Sequence, residues 1–580
     1  GVSFGNSQNV NVTSAFNFQM EGKLSDQLNI RADITDQKVP FQPEGNTANL
    51  REFDHVGIEV YNDHLSLKAG DLMLKNPTSK FLKYQKNVLG VNGTVMLNKD
   101  SVLRSESSIS VGSAKGQFAD LTLQAVEGLQ GPYQFQGTDG QRYFVILANS
   151  EKVYIDGQLL ARGARHDYII DYNLGELTFM PSVMITQYTR IRVTFEYSDQ
   201  NYSRSIVSAS QELEFDRSTV SLAIYQEKDN KNKPTAFDFT PSDQLQMSLA
   251  GDDHLPVPIT NVKIAPANSQ LIAYVRDSVQ TTDGAYQPKY VYSADSLVTR
   301  YIVPFSDVGE GNGNYQLSVS DVNGRIYEWI DPIDNEPQGQ FEPVQFIAAP
   351  SSRAMLELSA NHRWSDHMSS SLSFAMSSQD ENLYSPIGNH DNSGLAVKAG
   401  VLFEDLTWQL MPKSNIKFTL DFEHDTEHFQ AIDRFRSIEF DRNWGYNVEL
   451  DSIGRAENIF NSSLEIARDE NNRLELGFSS RTRETVINGY QQFGELRKSF
   501  GSLHTEFDYS LLKNENASEE TQWHQWTSTV EWHKFGLIPG YRVTEDRNEV
   551  FDIGREELSR TAMNYFSQEF YIKNADSSRF

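Results

Sequence analysis

Apolar side chains return at every second residue along most of this chain, and no other feature limits its fold so strongly. In residues 9–34, Val10, Val12, Phe16, Phe18 and Met20 take even positions while Asn11, Thr13, Asn17, Gln19 and Glu21 take odd ones. The even face resumes at Leu28, Ile30, Ala32 and Ile34. A period of two marks a β-strand with unlike faces, and the polar break between the two runs marks a hairpin. The pattern recurs at 416–423, where Ile416, Phe418, Leu420 and Phe422 oppose Lys417, Thr419, Asp421 and Glu423. It recurs again at 503–511, with Leu503, Thr505, Phe507, Tyr509 and Leu511 against His504, Glu506, Asp508 and Ser510. Further strands are expected near 55–67, 88–97, 105–111, 355–364, 370–376, 395–403, 460–466, 474–478, 523–532 and 562–572, joined mainly by hairpins. The apolar face must then meet either a soluble core or lipid.

A chain of 580 residues exceeds the usual single soluble domain, so it divides into several domains or builds one very large sheet. It has no run of eighteen apolar residues, which argues against membrane helices. Barrel strands escape that argument, because their alternation averages out to polar. Sustained two-faced strands and an aromatic share of 11%, with 25 tyrosines and 34 phenylalanines, favour lipid. The net charge of −28 would repel a phosphate backbone, so nucleic acid is excluded as a partner. The chain has no cysteine, which removes disulfides, thiolate metal sites and thiol nucleophiles together. It opens without a charged stretch followed by an apolar one and ends directly after a strand-like run, so it reads as part of a longer polypeptide.

Two stretches break the pattern. Gly131 to Tyr202 holds short strands joined by D-G and L-G turns, the layout of a small β-sandwich over Val153, Ile155, Tyr168, Ile170, Leu177 and Phe179. Lys233 to Pro350 holds 11 of the 19 prolines, which belong at sheet edges and turns and so interrupt a continuous wall. The expected organisation is all-β: a large antiparallel transmembrane barrel with strands from 1–130, 203–232 and 351–580, a sandwich-like insert at 131–202 and a Pro-rich insert at 233–350. Helix should be minor.

Candidate sites are few. His424 and His428 have the i, i+4 spacing of a zinc pair, but in a strand they stand ~13 Å apart and read as polar strand-end residues. Asp307–Asn314 and Asn389–Gly394 offer oxygen ligands without the spacing of a calcium loop, so solvated turns are expected and calcium is left unsupported. Gly309, Gly311 and Gly313 precede a strand pattern and no helix, so a dinucleotide fingerprint fails its context. No nucleophile elbow accompanies the Ser, His and Asp residues, and no catalytic or cofactor-binding residue is assigned. Val39–Glu44 reads as a rigid link, with Pro40 and Pro43 fixing its backbone.

Several long polar strings carry a resemblance. G-V-S-F-G-N-S-Q-N-V, I-T-D-Q-K-V-P-F-Q-P-E-G-N-T, L-R-E-F-D-H-V, A-G-D-L-M-L and V-G-S-A-K-G-Q-F, all within residues 1–120, resemble outer-membrane β-barrel proteins of Bacteroidota related to SprA, the translocon barrel of type IX secretion. V-Y-I-D-G, R-I-Y-E-W and R-F-R-S-I-E-F-D-R-N-W are similar to later parts of that group, whose members are much longer than this chain. The resemblance implies a non-catalytic outer-membrane protein acting in protein export or in a surface assembly, with lipid and other outer-membrane or surface proteins as partners and its inserts periplasmic or extracellular. The residues alone leave two rivals: a porin or nutrient channel, and a soluble adhesin or glycan-binding protein.

Overall fold

The structure is a computed structural model. It describes the chain except residues 1, 6–7, 13–14, 38–53, 98–102, 115, 137–145, 148–149, 164–165, 173, 187–188, 198–201, 235–238, 253–255, 267–270, 281–285, 296, 319–324, 334–335, 409–410, 447–453, 485, 517, 535, 560–561 and 575–580. The link at Val39–Glu44 and its two prolines therefore lie outside the described residues.

Alternating runs become strands of one antiparallel sheet. In order of pairing they are Ala15–Ser25, Leu28–Gln37, Asp54–Tyr61, Leu65–Asn76, Tyr84–Leu97, Arg104–Ala114, Tyr202–Glu214, Ser218–Pro234, Ser352–Ser365 and Met368–Asp380. The series continues through Ser393–Trp408, Met411–Asp425, Glu457–Asp469, Asn472–Arg483, Ile487–Phe500, Leu503–Glu515, Glu519–Trp532, Leu537–Asp552 and Met563–Asn574. Strand length runs from 8 residues at Asp54–Tyr61 to 17 at Ser218–Pro234.

Register sorts the two faces. Met20, Ala32, Ile58, Ala69, Val91, Val111 and Val207 form one cross-strand row through seven successive strands. Across the C-terminal half, Ile416, Ile466, Leu474, Leu496 and Phe507 form another, beside Phe403, Phe418, Leu464 and Leu476. Much of this face is open: Phe18, Met20, Ile58, Val91, Leu358, Phe374, Phe422, Leu476, Leu496 and Phe507 are all exposed. The opposite face carries the charges, with Glu465, Glu475, Glu495 and Asp508 aligned in one row and Arg473, Arg497 and Glu506 in the next. Because side chains alternate strictly along a strand, apolar residues at one parity place charge at the other.

Two stretches leave the sheet. Between Gln117 and Tyr197, a four-stranded sheet (Gln158–Leu159, Lys152–Ile155, Arg190–Tyr197, Gln117–Gln124) and a three-stranded one (Tyr133–Gln134, Glu176–Phe179, Tyr168–Asp171) share a core. Val153, Tyr168, Leu177 and Phe179 are buried in it, and Ile155 and Ile170 pack against it. Gln117–Gln124 pairs with Arg190–Tyr197, so it belongs here and not to the large sheet, where the sequence reading up to residue 130 put it. Its alternation fits either sheet, since periodicity says nothing about which partner a strand takes. Residues 241–347 contain the helix Pro241–Ala250, capped at Thr240, and three small sheets, with Tyr274, Tyr290, Val303 and Tyr315 buried among them.

Candidate functional site: a strap across the charged face

The connection after Met411–Asp425 does not project into solvent. Residues 426–446 lie against the charged face of the sheet, held at both ends. At the start, the Gln430 amide donates to Ser377 Oγ at 3.0 Å. Asp433 pairs with Lys86 Nζ at 2.6 Å and accepts from the Gln85 amide at 3.1 Å. At the far end Trp444 packs with Leu512 and Trp523, and its carbonyl accepts from Asn514 Nδ2 at 3.1 Å. The residue types explain this: Phe429, Ile432, Phe435 and Trp444 supply apolar anchors between Asp433, Arg436 and Asp441, which find partners on the charged wall, while Arg434 turns to Asp120 of the 117–197 unit.

These contacts show that the wall is curved. Lys86 and Trp523 sit on strands twelve pairings apart, which on a flat sheet would separate them by ~58 Å at ~4.8 Å per strand. Eleven residue steps join Asp433 to Trp444, at most ~40 Å if fully extended. The segment is far from extended, since it turns repeatedly and ends in the 3-10 turn Arg442–Trp444. The sheet therefore curls around the strap, and the charged face is the concave one.

The middle of the strap is fastened by two arginines. Arg436 reaches Glu423 at 2.6 Å, Asp425 at 2.6 Å and Glu457. Burial opposes its charge, but Glu457, Glu423 and Asp425 outweigh that and hold the guanidinium above its ordinary range. Arg481 comes from the wall, is fully buried, and joins Glu457 to Asp441 of the strap, the latter at 2.6 Å. Lys398 adds a third cation at 2.8 Å from Glu423. Phe440 lies under both guanidinium groups, 4.6 Å from Arg436 and 4.5 Å from Arg481. Buried ion groups of this sort add little net stability over apolar packing, but losing one partner strands a charge and costs about 3–5 kcal/mol.

A second inward turn, at 77–83, forms the seat for the strap. Glu357 is 1% exposed and its carboxylate accepts from three successive amides, Lys80 at 2.9 Å, Phe81 at 3.1 Å and Leu82 at 2.7 Å. Consecutive amides converging on one carboxylate stabilise its charge without a cation. The turn so fixed presents Phe81 to Phe429 and Phe435, with ring centroids 5.6 and 5.4 Å away. Gly394 completes the seat: a Cβ there would stand 2.2 Å from the Phe429 nitrogen, so the strap backbone passes where a side chain would be.

The residues singled out by sequence fall elsewhere. His424 contacts Asn458 at 2.9 Å, while His428 lies in the turn beside Glu427, so among the described residues the pair shares no partner. Asp307–Asn314 is a turn: Asp307 accepts from the Gly309 amide at 2.9 Å and from Gln340 at 2.8 Å, and Gly309 and Gly311 have φ of +91° and +77°. In Asn389–Gly394, Asn392 donates to Asn389 at 3.1 Å. One acidic group that the sequence did not suggest is Glu495, Glu506 and Asp508, whose carboxylates lie within 4.8 Å of one another on the concave face. Arg497 pairs with Glu495 at 2.8 Å and with Glu506 at 3.1 Å, so the group is already partly neutralised. Only pairing register could reveal it, because Glu495 lies 11 and 13 residues before Glu506 and Asp508 and meets them across two strands.

A family model described as a domain of unknown function, DUF8818, matches residues 118–199. No curated protein matches the chain. Among solved structures the chain is similar to OccAB2 of Acinetobacter baumannii, with 7% identity over 95% of this chain and 92% of that one and a TM-score of 0.27. It is also similar to the translocation pore of the P pilus usher PapC, with 8% identity over 96% and 94% and a TM-score of 0.24. Neither likeness, at such scores, argues for a function.

Proposed function

We propose that this chain is a β-barrel of a bacterial outer membrane, non-catalytic, whose lumen is closed at rest by the strap 426–446. The observation that carries this reading is the register: one face of a curved sheet is lined with exposed apolar rows and the other with charge. Such a wall is stable where the convex side meets hydrocarbon and the concave side holds water or polar chain. Barrel closure would bring Ala15–Ser25 against Met563–Asn574, whose Phe570 and Ile572 are 79% and 72% exposed. An uncovered strand edge in lipid leaves backbone groups unsatisfied, so closure also serves the membrane. The stretches 117–197 and 241–347 are then inserted domains carried on the barrel. The strings similar to SprA-type barrels favour protein export, or a surface assembly, as the setting.

The test is electrical. The full chain, reconstituted in planar bilayers, should conduct little, whereas the same chain with 427–445 replaced by a short Gly-Ser link should show stable unitary openings. Absence of conductance in both would remove the pore. Openings of equal size and frequency in both would remove the strap as its closure.

A further inference from the structure

The residues matched by the family of unknown function do more than sit beside the strap. Asp120 and Arg192, on neighbouring strands of that unit, form a fork, with Arg192 Nε 2.8 Å and Nη2 3.3 Å from the two carboxylate oxygens. Arg434 of the strap closes on the same carboxylate. Arg192 and Arg434 each donate to the carbonyl of Ile438 at 3.3 Å, so a side chain of the unit and one of the strap meet at the same strap carbonyl. Arg190 reaches Glu439 at 3.3 Å, a carboxylate it shares with Arg442 at 3.2 Å. The unit's turn comes close enough that a Cβ on Gly157 would stand 2.6 Å from the Glu439 side chain. The unit is itself tied to the wall, where Glu196 accepts from Asn87 Nδ2 at 2.8 Å and Lys86 lies 5.1 Å from the Phe118 ring. Lys86 is also the wall cation that holds Asp433.

We infer that the 118–199 unit is the latch of the strap: through Asp120, Arg190 and Arg192 it grips residues 434–439, and lifting the unit frees the strap from the lumen. This rests on reading the chain as a pore closed by 426–446. The arrangement suits such a role. Arg436 and Arg481 fasten the strap from inside the curved wall, with side chains 18% and 0% exposed. The latch contacts are partly exposed, with Arg190 and Arg192 side chains about a third open to solvent. A protein that binds the unit can therefore act on the strap without entering the lumen.

The test uses the full chain with Asp120→Asn and Arg190→Gln combined, substitutions that remove both charges, the first at constant shape and the second with loss of the guanidinium. Two quantities are read: the fraction of time open in planar bilayers, and the rate of tryptic cleavage at Arg434 and Arg442. The latch predicts a severalfold rise in both. It also predicts that the same substitutions add nothing to the opening of a chain whose strap has been replaced. Wild-type openings and wild-type cleavage in the double variant, alongside a conducting strap-replaced chain, would overturn the latch and leave the pore standing. If the strap-replaced chain fails to conduct, the pore reading falls, and the cleavage rate alone decides whether the unit holds the strap.

Discussion

Arg436 is the residue on which the strap turns, because three carboxylates from two adjacent wall strands converge on its guanidinium. Replacing it with alanine leaves Glu423, Asp425 and Glu457 crowded without their shared cation, at a cost of about 3–5 kcal/mol. Arg436→Ala should therefore release the strap to trypsin in the membrane-inserted chain, and Arg436→Lys should restore part of the protection; equal cleavage in all three would contradict the assigned role. Residues on the wall divide by parity. Phe18→Arg puts a cation on the apolar face and should impair membrane insertion by ~2–4 kcal/mol if it lies near the bilayer midplane. Gln19→Arg, one residue on, should insert normally, and equal damage at both positions would refute the face assignment. The division into an apolar and a polar face was legible in the sequence, since apolar Phe18 and polar Gln19 fall at opposite parities. Arg436 was not, because its partners lie 11 to 21 residues away and meet it only when the connection folds back into the curve.

Among the elements, the strands were the readable part. Periodicity located the hairpins at 15–37, 352–380 and 457–483, and register followed from keeping apolar residues on one side. The core of the 117–197 unit was readable too, through Val153, Leu177 and Phe179 between tight turns. Alternation could not decide ownership. Gln117–Gln124 looks like a wall strand and pairs with Arg190–Tyr197, 66 residues or more downstream. The strap was the least legible element. Its string R-F-R-S-I-E-F-D-R-N-W mixes rings and charges without a period, and such a loop ordinarily lies in water. Here the rings find Phe81, Leu512 and Trp523, and the charges find buried counter-ions, so the interior is the lower-energy place for it. Glu357 shows the same economy in the opposite sense, a buried carboxylate satisfied by three amides of a neighbouring turn.

On the scale of the molecule, a wall apolar outside and charged inside presents a large greasy surface to whatever surrounds it. Exposed apolar patches on soluble monomers seldom exceed a few hundred Å², whereas these rows run across nearly the whole sheet. The concave side holds the strap, the seat at 77–83 and the aligned acids Glu465, Glu475, Glu495 and Asp508, so an opened lumen should pass cations more readily than anions. Membrane residence is thus the premise of the pore, and of the strap's role as its closure. Its most direct measurement is the partition of the full chain between membrane and soluble fractions after gentle lysis, followed by size analysis with and without detergent. A membrane barrel should be recovered in the membrane fraction and form a monodisperse species only when detergent is present; a monodisperse chain in plain buffer would contradict membrane residence.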